Sequence, residues 1–205
     1  PGASYSSRWT MYDGFSDTYG AGRYDRTALS VRDGALDLHM HTDAAGQPIS
    51  SAPVPIVTRA WEGQTYGRYS VRFKSDKLPG YKAAWLLWPT SDDWNQGEID
   101  FPEGDLDGDI WGFNHCIGNP AANCFHVDTG QSFDDWHTAT IEWQPGRLTY
   151  ILDGEVVGTT THSVPDVPMR WVLQTETGSS AKPARDVAGP ECGGGYHRRM
   201  QRRLP

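Results

Sequence analysis

Gly97-Glu98-Ile99-Asp100-Phe101-Pro102-Glu103 is the stretch on which the reading of this chain turns. In an extended strand successive side chains alternate between faces, so Glu98 and Asp100 share one face while Ile99 and Phe101 point to the other. Strict alternation would put Pro102, not Glu103, next in the acidic row. Proline has no N–H to give to a ladder and belongs at an edge or a bulge, and a bulge inserts the one residue that returns Glu103 to the face of Glu98 and Asp100. The spacing therefore predicts a bulged strand with three acids in a row on one face and a buried apolar face behind them.

Outward from this stretch, the chain reads as short strands and turns with hardly a helical period. Leu36, Leu38 and Met40 alternate with Asp37, His39 and His41; Tyr69, Val71 and Phe73 alternate with Ser70 and Arg72; His137–Trp143 and Arg147–Leu152 repeat the habit. Asp153-Gly154 is a tight-turn signal between the strands Leu148–Leu152 and Glu155–Gly158. Many strands at close intervals argue an all-β sandwich, and 205 residues fit one domain, since such units commonly run to roughly 200–250 residues. That domain is placed at residues 1–188. Residues 189–205 show no alternation and carry four arginines between Arg198 and Arg203, so an irregular, disordered tail is expected there.

Crowded carboxylates raise one another's pKa and resist joint ionisation, so such a row is seldom kept for stability alone. Retaining glycoside hydrolysis uses it: one carboxylate attacks the anomeric carbon, and a protonated carboxyl roughly 5–5.5 Å away protonates the leaving oxygen. In that chemistry Glu98 is the nucleophile, Glu103 the acid/base and Asp100 the partner between them. Negative neighbours are expected to hold the proton on Glu103 until Glu98 becomes an ester, after which Glu103 activates water. A solvated acidic strand running on through Asp105, Asp107 and Asp109 is the plain alternative. Asp105-Leu106-Asp107-Gly108-Asp109 is a poor calcium loop, with its glycine at the fourth place and no closing Glu.

The same residues resemble the active-site strand of glycoside hydrolase family 16, the laminarinase, lichenase, agarase and carrageenase group. The spacing is similar to its bulged version and not to the one with a single residue between Asp and the second Glu. Tyr66–Lys74 and Gly80–Leu87 resemble two further strands of the family, Asp135–Trp143 and Leu152–Gly154 resemble later ones, and the resemblance covers about residues 60–177 well. It implies a jelly-roll β-sandwich of two antiparallel sheets whose concave sheet forms a substrate cleft. It also implies catalytic roles for Glu98, Asp100 and Glu103, and substrate contact for Trp85, Trp94 and His115, the histidine near Glu103 and the sugar. Lower in the order for the cleft stand Trp88 and Trp111, with Gln174 and Glu176 on one strand face. Family members close with an apolar, aromatic strand, which the tail here does not match.

The implied activity is a secreted, retaining endo-β-glycanase on β-1,3-glucan or a related β-glucan, acting as a monomer on a polysaccharide. The alternatives are a non-catalytic carbohydrate-binding jelly roll and an agarase- or carrageenase-like galactan hydrolase. No organic cofactor and no metal ligand set is expected, with a structural calcium the one ion that the resemblance allows. A net charge of −8 and a pI near 5.3 disfavour nucleic acid and anionic membranes as partners. No apolar run reaches the roughly 18 residues of a spanning helix, and Pro1-Gly2-Ala3-Ser4 reads as a mature start whose leader has been removed. Cys116 and Cys124 sit in a Gly-, Asn- and Pro-containing loop, so a local disulfide fits an exported protein, with Cys192 left over. His39 and His41 lack a third ligand of fitting spacing and are expected at the surface.

Overall fold

The computed structural model describes residues 8–32, 34–178, 183 and 200–203. Its strands are β1 (Trp9–Tyr12), β2 (Arg23–Tyr24), β3 (Leu29–Arg32), β4 (Ala35–Leu38), β5 (His41–Thr42), β6 (Pro48–Ser50), β7 (Ala52–Pro55), β8 (Gly67–Ser75) and β9 (Tyr81–Pro89). There follow β10 (Ile99–Asp105), β11 (Asp109–Cys116), β12 (Asn119–Ser132), β13 (His137–Gln144), β14 (Arg147–Leu152), β15 (Glu155–Thr160), β16 (Met169–Thr177) and β17 (Met200–Arg203). Two sheets dominate: a five-stranded one in the order β12-β11-β10-β9-β16 and a seven-stranded one in the order β15-β14-β13-β8-β17-β4-β3. A β1-β7 pair and a small β2-β6-β5 sheet complete the set, and β2–β6 is the parallel pairing among them. Ser51, between β6 and β7, accepts from the Thr175 amide at 2.9 Å, which ties this second group to β16.

The two large sheets face each other across one core, the sandwich expected from the alternation. From the five-stranded sheet Ala83, Trp85, Leu87, Ile99, Phe101 and Leu173 point inward, and from the other Leu36, Leu38, Val71, Phe73, Ile141 and Tyr150 meet them. Rings interlock edge to face across the gap: Phe73 with Trp85 at 5.3 Å and Phe101 with Tyr150 at 5.6 Å. Gly112 of β11 leaves room for this, because a Cβ there would lie 3.0–3.1 Å from the Tyr150 and Phe101 rings. On the opposite face of the five-stranded sheet a second apolar cluster forms, where Tyr24, Ala52 and Val54 cover Ala84, Leu86 and Val172. Strand β9 is therefore buried on both faces.

The predicted tight turn joins β14 to β15, with Asp153 and Gly154 both at positive φ (52° and 91°), as a two-residue hairpin loop requires. His39 and His41 are half-buried and stacked on each other, with ring centroids 4.5 Å apart, rather than at the open surface. The expected irregular tail is corrected in part: the backbone of Met200–Arg203 enters the seven-stranded sheet as β17, antiparallel to both β4 and β8. Its ladder bonds are made by main-chain groups, which need no hydrophobic alternation, and two open strand edges offer them. Residues 189–199 and 204–205, Cys192 included, lie outside the described residues.

Candidate active site

Strand β10 carries the acids, and its pairing shows how. Asp100 stands opposite Leu86 of β9 and Phe113 of β11, and Glu103 opposite Ala84 and Trp111. Two residues of β10, Phe101 and Pro102, thus span what one residue spans on each neighbour, which is the bulge the sequence predicts. Phe101 turns into the core, and Glu98, Asp100 and Glu103 all line one cavity of about 590 Å³ on the open face of the five-stranded sheet. Tyr12, Phe15, Tyr24, Trp88 and Trp94 supply its aromatic wall, and Asp17, Asp92 and Glu176 add further carboxyls. A second cavity of about 360 Å³ adjoins it over Asp109, Trp111 and Phe113, and Lys82 and Glu103 line both.

The N-terminal stretch closes one side of the cleft. Asp17, buried, accepts from the Thr177 amide and hydroxyl at 2.8 Å each and from the Gly22 amide at 3.1 Å, which holds residues 17–22 against the end of β16. Tyr19 is carried over the floor, its ring 5.6 Å from the Lys82 ammonium.

His115, on β11, is oriented from behind. Its Nδ1 lies 2.6 Å from the Pro120 carbonyl, which can only accept, so Nδ1 carries the hydrogen and Nε2 faces the acids. Nε2 is 3.3 Å from Asp100 Oδ2 and 3.9 Å from Glu98 Oε2, and the His115 amide donates to the Glu98 carbonyl at 3.0 Å. A disulfide between Cys116 and Cys124 closes the turn that presents Pro120. His115 shares the cavity with Glu103, near which it is expected, but the carboxyls that its Nε2 faces are those of Asp100 and Glu98.

Burial, and then the charge of Asp100, pushes Glu98 up to about 9, with His115 working against the shift. Asp100, 1% exposed, is raised well above the ordinary carboxyl range by burial first and by Glu103 second. Burial and crowding therefore both favour the protonated form in the Glu98–Asp100 pair. Glu103 has a different partner, the Lys82 Nζ at 2.6 Å, both side chains largely buried. The expectation that negative neighbours alone set the proton on Glu103 thus meets an ammonium against that carboxylate, while crowding and burial act on Glu98 and Asp100 instead. One oxygen or nitrogen each from Glu98, Asp100 and His115 falls within 4.8 Å of the others. A cation entering that trio would compete with the protons that burial favours on the two acids.

Trp94 lines the cleft, on the short turn Trp94–Gln96, its ring 5.6 Å from that of His115. Trp88, Gln174 and Glu176 line the same cavity, and Trp111 the adjoining one. Trp85 is corrected. It is 1% exposed and packs on Phe73 in the core, because it shares a strand face with Ala83 and Leu87, while Lys82, Ala84, Leu86 and Trp88 take the cleft face. The alternation of Lys82-Ala83-Ala84-Trp85-Leu86-Leu87-Trp88 carries the signal for both Trp85 and Lys82, the residue that sequence reasoning missed.

The chain matches the model of the family described as glycosyl hydrolases family 16 over residues 22–185. Among curated relatives, a beta-glucanase of Brevibacillus brevis is 26% identical over 112 residues, 53% of this chain and 43% of the relative. Crh-like protein 2 of Aspergillus fumigatus is 29% identical over 134 residues, 62% of this chain and 26% of the relative. The chain thus spans less than half the length of these relatives. Solved structures share the fold: Bacillus licheniformis beta-glucanase superimposes with a TM-score of 0.75 at 19% identity, over 98% of this chain and 92% of that one. The laminarinase from Flavobacterium sp. UMI-01 does so with a TM-score of 0.75 at 18% identity, over 99% and 94%.

Proposed function

Because the chain belongs to glycosyl hydrolase family 16, we propose that it is a retaining endo-β-glycanase that cuts internal bonds of a β-glucan, β-1,3-linked or related. The observation that carries this reading is the bulge of β10, which sets Glu98, Asp100 and Glu103 on one wall of one cleft. In the first step the Glu98 carboxylate forms a bond to the anomeric carbon as the bond to the leaving oxygen breaks, and a proton on Glu103 goes to that oxygen. In the second, Glu103, now a carboxylate, takes a proton from water; the oxygen of that water bonds to the anomeric carbon, and Glu98 leaves as carboxylate. Two carboxyls and one water balance both steps, so the chemistry calls for no cofactor. A proton must leave the Glu98–Asp100 pair before Glu98 attacks, and His115, its Nδ1 fixed by Pro120, presents Nε2 to that pair.

The relatives and structural neighbours include a beta-glucanase and a laminarinase, which supports the substrate class. The Cys116–Cys124 bridge supports export to an oxidising compartment, where such bonds persist. Among the described residues no helix is long and apolar enough to cross a membrane.

The test is product analysis on laminarin, mixed-linkage glucan, agarose and carrageenan, with the anomer of the first product read by proton NMR. Internal cleavage of a β-glucan with retained configuration, reduced about 10³-fold or more in Glu98→Gln, is expected. Binding of glucan without any hydrolysis would mark the carbohydrate-binding alternative, and cleavage of agarose or carrageenan the galactan one.

A further inference from the structure

The lysine in the cleft floor poses a problem that the proposed hydrolysis must solve. Glu103 is engaged by the Lys82 ammonium at 2.6 Å, whereas the first step needs a proton on that carboxyl and a bare carboxylate on Glu98. Burial and crowding act in the opposite sense, favouring the protonated form in the Glu98–Asp100 pair. A second carboxylate stands ready for the lysine. Glu176 Oε1 is 3.9 Å from Lys82 Nζ on the side away from Glu103, and Glu176 Oε2 is buried with no hydrogen-bond partner.

We propose that Lys82 is a positioning residue that exchanges partners during the reaction, held by Glu103 in the empty cleft and passed to Glu176 when a sugar chain lies across it. This rests on the hydrolase reading and goes beyond it by naming the device that moves the proton. The two cavities meet at the Lys82–Glu103 pair, so a polymer that fills both must cross it. A buried ammonium stripped of its partner is costly, and Glu176 removes that cost by a shift of about one ångström or so from a 3.9 Å approach to hydrogen-bond distance. The freed Glu103 takes the proton that the Glu98–Asp100 pair gives up. Lys82 stays protonated throughout and no net charge is created.

The charges that bear on Lys82 are Glu103 and Asp100 from β10, Glu176 from β16 and Tyr19 from the N-terminal stretch; Asp105 pairs with it across β10 and β9. Those on Glu176 are Lys82 and Asp17, with Tyr24 beside it and Thr18 hydrogen-bonded to it. Burial lowers the pKa of Lys82, but Glu103 and then Glu176 outweigh it, so the net shift is upward. Burial raises Glu176, and Lys82 and Thr18 oppose that rise.

Two experiments decide the exchange. In a crystal structure of Glu103→Gln, which removes the charge as protonation would, Lys82 Nζ is expected about 2.8 Å from a Glu176 oxygen. An Nζ still seated on residue 103 overturns the proposal, and this arm needs no substrate. In the pH profile of kcat/KM, Lys82→Met should move the alkaline limb to higher pH and Glu176→Gln to lower pH, each by at least half a unit. Lys82→Arg should restore the parent's limb. In the double variant the Glu176→Gln shift should vanish, because Glu176 acts through the lysine. A Glu176→Gln shift of equal size in both backgrounds, or limbs unmoved in Lys82→Met, overturns it; thermal midpoints and the milder Lys82→Gln separate misfolding from mechanism. A parent protein that hydrolyses none of the polymers sinks the hydrolase reading, and the Glu103→Gln structure still decides the lysine's movement.

Discussion

Glu98 is kept at a cost that depends on pH. Its ordinary value is 4.5 and the fold pushes it up to about 9, burial first and the Asp100 charge second. Between those values the folded chain keeps a proton that the unfolded chain releases, so stability falls as pH rises across that window. Glu98→Gln carries no proton to lose. It is expected to unfold at a higher temperature than the parent at pH 8, by on the order of 10 °C at about 2–4 °C for each kcal/mol in a chain of this size, and with a much smaller gap at pH 4, as read by scanning calorimetry. The same substitution is expected to abolish the proposed hydrolysis while raising stability, the trade expected where crowded charge serves chemistry.

At the scale of the element, the bulge of β10 separates a groove of acids from a strand with one acid too few. Deleting Pro102 leaves Asp100-Phe101-Glu103, which plain alternation again places cleft, core, cleft. That variant is expected to fold and to retain Glu103-dependent hydrolysis, reduced about ten- to a hundredfold by the misplacement of the acid. Complete loss in a folded protein would show that the bulge sets more than the face. The bulge was legible because a proline interrupts a short acidic alternation, and β8 was legible because its exposed Arg68, Ser70 and Arg72 contrast with buried Tyr69, Val71 and Phe73. In β9 that contrast is missing: the N-terminal stretch covers its second face, so apolar residues occupy both and Trp85 could be assigned to the wrong one. Nor does a sequence show who stands across the ladder. The Lys82–Glu103 pair follows from the β9–β10 register, and the hold of Asp17 on Thr177 joins residues 160 apart.

The whole molecule depends on strands brought from both ends of the chain. β17 lies between β4 and β8, so the seven-stranded sheet is continuous through residues 200–203. A chain ending at residue 199 would open two edges at once and part β3-β4 from the rest. Lower thermal stability and concentration-dependent aggregation are expected for it, measured by calorimetry and light scattering, with Glu98 and Glu103 untouched. The jelly-roll plan was legible from its repeated strands, but this closure was not, because a strand that pairs through its backbone needs no pattern of its own.

The carboxyl-lined wall also acts on polymers before they arrive. Lys82 is the one Lys or Arg among the described residues that line the larger cavity, against Asp17, Asp92, Glu103 and Glu176, with the Glu98–Asp100 pair held toward its neutral form. Such a surface projects a net negative potential over a Debye length, about 8 Å at physiological ionic strength, and is expected to disfavour sulfated or uronate-bearing chains relative to the uncharged glucans proposed as substrate. Added salt should accordingly leave the rate on an uncharged glucan unchanged and ease the entry of polyanions, a difference that stopped-flow mixing with fluorescently tagged chains would reveal. Long-range repulsion would then sort polymers in solution, leaving the aromatic wall to discriminate only among those that reach it.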